Sequence, residues 1–245
     1  MSIAEKLTTI AENMQKVYDA GKASAGDSGG YEEGYSQAES DFWDAFQQNG
    51  NRTFYEYGFC NTAFEPLRPK HKVVPTSRTI CMFEYANVKK IEKAYFDFSK
   101  ASVTSQGGSS TSGYYATFRY CYELEEIEDV GMPAGGLYNT FNRCHNLHTI
   151  SILRVLENTG FNGTFSHCFA LENITIDGVI GQNGLVLSDS TKLTHDSLMS
   201  IITALKDYST DTSGTQWVVT LGTTNLNKLT DAQKAMATQK GWTLA

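Results

Sequence analysis

The sequence predicts an α/β fold: a short solenoid with a parallel sheet, capped at both ends and preceded by N-terminal helices. Three observations carry that prediction. The segments beginning at Gly113, Gly136 and Gly160 repeat Gly, Thr, Phe, Cys, Leu and Ile at the same six offsets, 23 and then 24 residues apart. Agreement at that many positions marks units that stack on one another. The last two copies run on into Ile150-Ser151-Ile152 and Ile174-Thr175-Ile176, whose alternation is that of a strand. Outside the repeats the chain carries helix-start signals, Ser2 with Glu5 and Thr230 with Gln233, each spaced as a capping box.

In chain order, residues 1–25 hold the first helix. Its apolar residues Ile3, Leu7, Ile10, Met14 and Val17 alternate spacings of four and three, the seam of a coiled coil. Ile3, Ile10 and Val17 share one register, and β-branched residues there favour trimers or tetramers; a helix docked on its own domain is the alternative. Residues 26–50 finish a Gly/Ser-rich linker and enter a second helix, with Tyr31, Tyr35, Ala38, Phe42 and Phe46 on one face, read as packing. Residues 51–80 carry Pro66, Pro69 and Pro75 and no clear period. They read as the N-terminal cap that the first unit of a stack requires.

Residues 81–192 form the stack. It opens on a degenerate copy, with Met82, Tyr85, Val88 and Ile91 at the Phe, Cys, Leu and Ile offsets. A Gly/Ser-rich insertion at 99–113 accounts for the 36-residue step from Met82 to Phe118. In each clean copy Thr-Phe-x-x-Cys has helical spacing, so one short helical turn capped by Thr is expected, with Gly at the bend between units. The pattern decays through Leu187, Ser190 and Leu193. Residues 193–245 read as the C-terminal cap: a helix from Thr194, a strand at 217–221, a helix from Thr230 stopped by Gly241, and a short strand at 242–244.

Composition excludes several classes. With 40% hydrophobic and 19% charged residues the bulk is globular. A net charge of −7 argues against nucleic acid and anionic membranes as partners. No stretch of 18 apolar residues occurs, so membrane insertion is not expected. The first residues, Met1 to Leu7, lack the apolar core of a secretory signal, which points to the cytoplasm or to release by lysis. Five cysteines without a CxxC argue against a disulfide framework. Cys121, Cys144 and Cys168 share one repeat position, so they should stack as small buried hydrophobes. A zinc site with His145, His148 and His167 is rejected, because strand spacing of about 5 Å separates same-position cysteines too far. No metal or cofactor is expected.

Catalytic signatures are missing: no P-loop, GxSxG or HExxH is present. The best catalytic candidates are Glu125, Glu126, Glu128 and Asp129. Glu126 and Glu128 share the exposed side of a strand, where two carboxylates could meet the spacing of a glycosidase pair. A solvated strand face is the preferred reading, and no enzyme is expected.

The unit Phe118/Cys121/Leu124/Ile127, Phe141/Cys144/Leu147/Ile150 and Phe165/Cys168/Leu171/Ile174 resembles the BspA-like leucine-rich repeats, without the Asn ladder of longer leucine-rich repeats. The resemblance covers about residues 78–192 and implies a leucine-rich-repeat solenoid. Such repeats occur on bacterial surface proteins that bind host or neighbouring-cell ligands, and in Firmicutes prophages. Flanking segments, Ser2 to Asn13, Val17 to Gly21, Phe42 to Gly50, Leu193 to Leu198 and Leu229 to Leu244, are similar to segments of minor structural proteins of gut Firmicutes phages. That resemblance implies a virion component.

The leading expectation is a tail- or fibre-associated phage or prophage structural protein that recognises a cell surface. It self-associates through the N-terminal helix, contacts other virion proteins and binds a bacterial surface glycan or protein. A bacterial cell-surface adhesin of the BspA-like type is the alternative, and a ligand-free structural module the third. The candidate binding residues are the exposed strand positions Glu126, Glu128, Thr149, Ser151, Asn173 and Thr175. Tyr114, Tyr115 and Tyr122 stand beside them as rings able to stack on sugars.

Overall fold

The chain divides into two units in the computed structural model. One, Met1–Phe54 with Arg68–His71, lies wholly outside the described residues. The other, Tyr55–Leu67 with Lys72–Ala245, holds all of them: 59–61, 72–75, 79–98, 115–130 and 136–245. The heptad residues Ile3, Leu7, Ile10, Met14 and Val17, the second helix and the insertion at 99–113 are therefore outside the described part.

The described unit is α/β. A four-stranded parallel sheet is laid down in chain order, β1 (Lys90–Ile91), β2 (Glu126–Ile127), β3 (Thr149–Val155) and β4 (Asn173–Gly178). Ile91, Ile127, Ile150 and Ile174 pair in one row across it and are all buried. A register shift in β3 between Ile150 and Leu153 turns Leu153 inward, where it pairs with Ile176 and bridges Val130. Such a bulge lets one strand bend without losing its neighbours.

A second buried file is a column of phenylalanine rings. Phe59, Phe83, Phe118, Phe141 and Phe165 stack with centroids 4.9, 5.1, 5.6 and 5.6 Å apart and planes within 16°. Phe96 and Phe98 close the column edge-on against Phe83. The rings correct two expectations. Phe83, not Met82, holds the Phe position of the degenerate copy, and Ala86, not Tyr85, holds that of Cys: the Ala86 amide donates to the Phe83 carbonyl as Cys121 does to Phe118. Ile91 still pairs with Ile127, so this copy is one residue shorter between ring and strand. A ring offers the column a stacking partner that a thioether does not. The period also reaches back into residues 51–80, where Phe59 joins the stack and its amide donates to the Met82 carbonyl at 2.7 Å.

The Thr-Phe-x-x-Cys segments are not short helices. They are runs of tight turns with a left-handed residue on each side of the ring. These are Cys81 and Tyr85, Ala116 and Tyr120, Asn139 and Arg143, and Gly163 and His167, with φ between 52° and 69°. Turn bonds such as Thr140 N to Leu137 O and Cys144 N to Phe141 O, each 3.0 Å, put that residue third in its turn, the place where a type II turn needs φ above zero. The threonines accordingly do not cap. Thr117 Oγ1 donates to the Thr79 carbonyl of the preceding copy and Thr164 Oγ1 to that of Leu137, both at 2.8 Å. Gly136 and Gly160 have no left-handed backbone; a side chain at either would run into Tyr138.

Cys121, Cys144 and Cys168 are fully buried, and they also form a ladder. Their thiols donate to the carbonyls of Phe83, Phe118 and Phe141 in the preceding copy at 2.9, 3.0 and 3.1 Å. Burial pushes all three thiols well up from their ordinary range, which marks structural, unreactive cysteines.

The stack ends under a helix. Thr194 caps α1 (His195–Ala204), and Ser197 and Ser200 on that helix accept from the amides of Ile174 and Ile176 at 3.0 and 2.9 Å. The edge of β4 is thereby covered instead of left open to another chain. Lys240 Nζ reaches back to the carbonyls of Thr203 and Leu205 at 2.7 and 2.9 Å, satisfying the end of α1. The chain closes with β5 (Trp217–Val219), α2 (Thr223–Leu226), α3 (Asp231–Gln239) and β6 (Trp242–Leu244), β6 pairing parallel to β5. Thr230 and Gln233 form the capping box of α3, and Gly241 turns the chain with φ +81°.

Two substitutions test this account. Phe141→Ala removes the ring between two stacked neighbours and should cost about 3–5 kcal/mol in denaturant unfolding. Ser197→Ala leaves the Ile174 amide without its acceptor and should cost about 1–3 kcal/mol. Thr203→Ala, at an exposed position of the same helix, should cost little.

Candidate ligand-recognition surface

The sheet carries the expected strand residues on one outer face. Lys90, Glu126, Thr149 and Asn173 stand in one row across β1 to β4. Ser151 and Thr175 are exposed beyond it, and Asn173 Nδ2 lies 3.4 Å from Thr149 Oγ1. The carboxylates on this face already have partners. Lys90 Nζ bridges Glu126 and Glu128 at 3.2 and 2.9 Å, and the Lys93 amide donates to Glu128 at 2.8 Å. Asp129 lies between Lys93 at 2.7 Å and Arg154 at 3.1 Å, and Arg154 continues to Asp177 at 2.6 Å. The Lys90 ammonium and the Lys93 amide hold Glu128 below the usual carboxylate range. Burial pushes Asp129 up, but the bonds from Arg154 and Lys93 together outweigh it and hold that group low as well. Carboxylates kept ionised in this way are matched to ion pairing, while a general acid needs its pKa raised. Among the described residues no three His, Cys, Asp or Glu side chains are grouped to hold a metal ion, and no helix is long and apolar enough to cross a membrane.

Of the three tyrosines, Tyr114 lies outside the described residues. Tyr115 is half-buried against Ile80, Cys81 and Ala116, with the Arg119 guanidinium 5.7 Å from its ring. It supports the core and is not a platform. Tyr122 is 42% exposed and belongs to a larger feature.

That feature is a ridge of six rings. Tyr85 stacks face to face on Tyr120 at 4.5 Å, and Tyr120 lies 6.1 Å from Tyr122. His145 follows 5.1 Å from Tyr122, Phe169 5.5 Å from His145, and His167 packs edge-on to Phe169 at 5.6 Å. Tyr85 and Phe169 are 47% and 48% exposed. The guanidinium groups of Arg119 and Arg143 sit 5.1 and 5.8 Å from the Tyr120 ring; Arg119 is also paired with Glu84 through its Nε at 2.6 Å. Burial, then His167 and Arg143, push the His145 imidazole below its ordinary range, so at neutral pH it presents a flat uncharged ring. Three of the six rings, Tyr85, Tyr122 and Phe169, are exposed and the other three are half-buried between them; exposed apolar surface gathered in this way is the kind of patch that marks an interaction site.

The fold builds this ridge from two offsets. Tyr122, His145 and Phe169 each follow directly on the buried cysteine of their copy. Tyr85, Tyr120 and His167 are the left-handed residues two places after the ring. Sequence reasoning singled out Tyr122 alone. The signal that finds the others is the repeat itself, read at the positions flanking Cys121, Cys144 and Cys168 instead of along the strands.

The ion pairs give an acid-dependence with a definite sign. A carboxylate whose folded pKa is depressed contributes stability above its unfolded value of about 4.3, and loses it as pH falls through the depressed one. Denaturant stability should therefore drop below about pH 4. Lys90→Gln should flatten that drop and move the Glu128 carboxyl titration, followed by NMR, back towards the ordinary value. No family model matches the chain, and no curated protein or solved structure matches it, so its functional reading rests on these residues.

Proposed function

We propose that the chain is a virion structural protein of a phage or prophage, associated with the tail or fibre, whose leucine-rich-repeat solenoid of the BspA-like kind is a display head for a cell-surface ligand. The observation that carries this reading is the ridge Tyr85–Tyr120–Tyr122–His145–Phe169–His167. Each copy from that of Phe83 to that of Phe165 contributes a ring or a guanidinium at offsets flanking the core positions. The strand positions Glu126, Glu128, Thr149, Ser151, Asn173 and Thr175 flank the recognition surface; Tyr122 is part of it.

The N-terminal seam Ile3, Leu7, Ile10, Met14 and Val17 joins the chains, as a trimer, to other virion proteins. Three linked heads convert weak contacts into firm attachment. The chain is made in the bacterial cytoplasm and acts on the particle, by recognition and without catalysis.

The test is sedimentation of the purified chain with envelopes from a panel of Firmicutes, together with its mass in solution. The full chain is expected to be trimeric, and the chain lacking residues 1–25 monomeric and at least tenfold weaker in binding. A stacking ring is worth about 0.5–1.5 kcal/mol beyond its area, so the double change Tyr122→Ala with Phe169→Ala should weaken binding about tenfold or more. Its melting temperature should fall only a little, since neither ring belongs to the buried core. A monomeric full chain that binds no envelope would overturn the reading.

A further inference from the structure

A polar trough is lined in part by residues next in sequence to two of the ridge rings. It is open, about 470 Å³ in volume, and lined by Glu125, Asn146, His148, Ala170, Glu172 and Lys192. The trough is assembled from the same copies as the ridge. Asn146 and Ala170 follow directly on His145 and Phe169, and Lys192 stands two places after Ser190, at the same offset as Asn146 after Cys144. Glu125, His148 and Glu172 each stand one residue before the outer row Glu126, Thr149 and Asn173. Asn146 and Ala170 thus stand one residue from the rings of His145 and Phe169, and carboxylates, an imidazole, an amide and an ammonium line the trough.

These polar groups are not spent on the fold. His148 Nδ1 meets Thr149 Oγ1 at 3.0 Å. The side chains of Glu125, Asn146, Glu172 and Lys192 make no hydrogen bond or ion pair with another described residue. Two carboxylates accept, Lys192 donates and Asn146 does both. Such a mixture beside exposed rings selects a chemistry. An apolar peptide or lipid tail would use the rings but strip water from Glu125 and Glu172 without replacing it. A polyanion would meet those two carboxylates and Glu123, which is exposed beside Tyr122, against Lys192 and Arg143, so carboxylates outnumber cations and the balance is repulsive. A sugar unit presents an apolar C–H face and a rim of hydroxyls that each donate and accept.

We propose that the trough and its ridge bind a linear, uncharged, hydroxyl-rich polysaccharide lying along the stack. Sugar faces rest on Tyr122, His145 and Phe169, and hydroxyls bond to Glu125, Asn146, Glu172 and Lys192. The ring spacings of 5.1 and 5.5 Å follow the unit rise of the stack, so a polymer with a short regular repeat meets a ring in each of three consecutive copies. The assignment rests on the ridge being a recognition surface and goes further by naming what is recognised.

The experiment uses the full chain and envelopes of one binding strain, divided into untreated, periodate-oxidised and protease-digested portions. Periodate cleaves vicinal diols, so it should abolish sedimentation with the envelopes, while protease should leave it intact. Protein-free neutral polysaccharide released from the same envelopes should compete. Glu172→Gln and Asn146→Ala should each weaken binding at least fivefold with unchanged melting. Binding lost to protease and kept after periodate would overturn the glycan assignment and leave surface recognition standing. Binding kept after both treatments, or unchanged in both variants, would also overturn the assignment. Failure to bind any envelope of the panel would remove the recognition reading itself.

Discussion

The structure depends on one coincidence of spacing. Strands in a sheet lie about 4.8 Å apart, and aromatic rings stack face to face at a similar distance, so one unit rise satisfies both the isoleucine row and the phenylalanine column. The column's centroid separations of 4.9 to 5.6 Å keep the two files in step. Once they are in step, the turns between them can bond copy to copy. Phe83, Phe118 and Phe141 amides donate to the carbonyls of Thr117, Thr140 and Thr164 at 2.7, 2.9 and 3.1 Å. The cysteine thiols and threonine hydroxyls then take up carbonyl capacity that the turns leave over. Buried backbone groups that are neither helix nor long strand are otherwise a heavy cost, and this lattice of small polar side chains is how the turns go inside.

A stack of this kind has ends, and the C-terminal end is closed by substitution of one element for another. Where a further strand would pair with β4, a helix runs instead, and two serine hydroxyls replace the missing carbonyls. Ser190 stands at the Cys offset but bonds differently from the thiols: its hydroxyl donates to the Cys168 carbonyl at 3.1 Å, where each thiol donates to the Phe carbonyl of the preceding copy. The decay of the pattern after Ile176 is therefore a change of partner chemistry, from repeat on repeat to repeat on cap.

Much of this was legible. Five of the six repeated offsets, those of Thr, Phe, Cys, Leu and Ile, are buried positions, and the helices from Thr194 and Thr230 start on caps whose chemistry is local. What escaped has a common physical cause: it depends on geometry between copies. Phe83 displaces Met82 because ring stacking outweighs even spacing, which a sequence period cannot register. Phe59 joins the column although its neighbours carry no repeat pattern. The helical spacing of Phe-x-x-Cys is equally the spacing of successive tight turns, and Tyr120, Arg143 and His167 are not residues from which left-handed backbone is read. The ridge was missed for the same reason, since strand alternation drew the candidate site onto the sheet face, where the carboxylates are occupied by Lys90, Lys93 and Arg154.

Those left-handed residues bear on function. A residue with a side chain in that conformation costs roughly 1–2 kcal/mol against glycine, out of a total stability of about 5–15 kcal/mol for a domain. Gly163 occupies one such place without strain. At Tyr85, Tyr120, Arg143 and His167 the strained backbone holds a ring or a guanidinium instead, and each of these side chains stands on the ridge or over it. Strain held beside the ridge in consecutive copies points to the side chains themselves, and a stack whose interior is fixed by the repeated Thr, Phe, Cys, Leu and Ile leaves those flanking positions as the ones that can be fitted to a ligand.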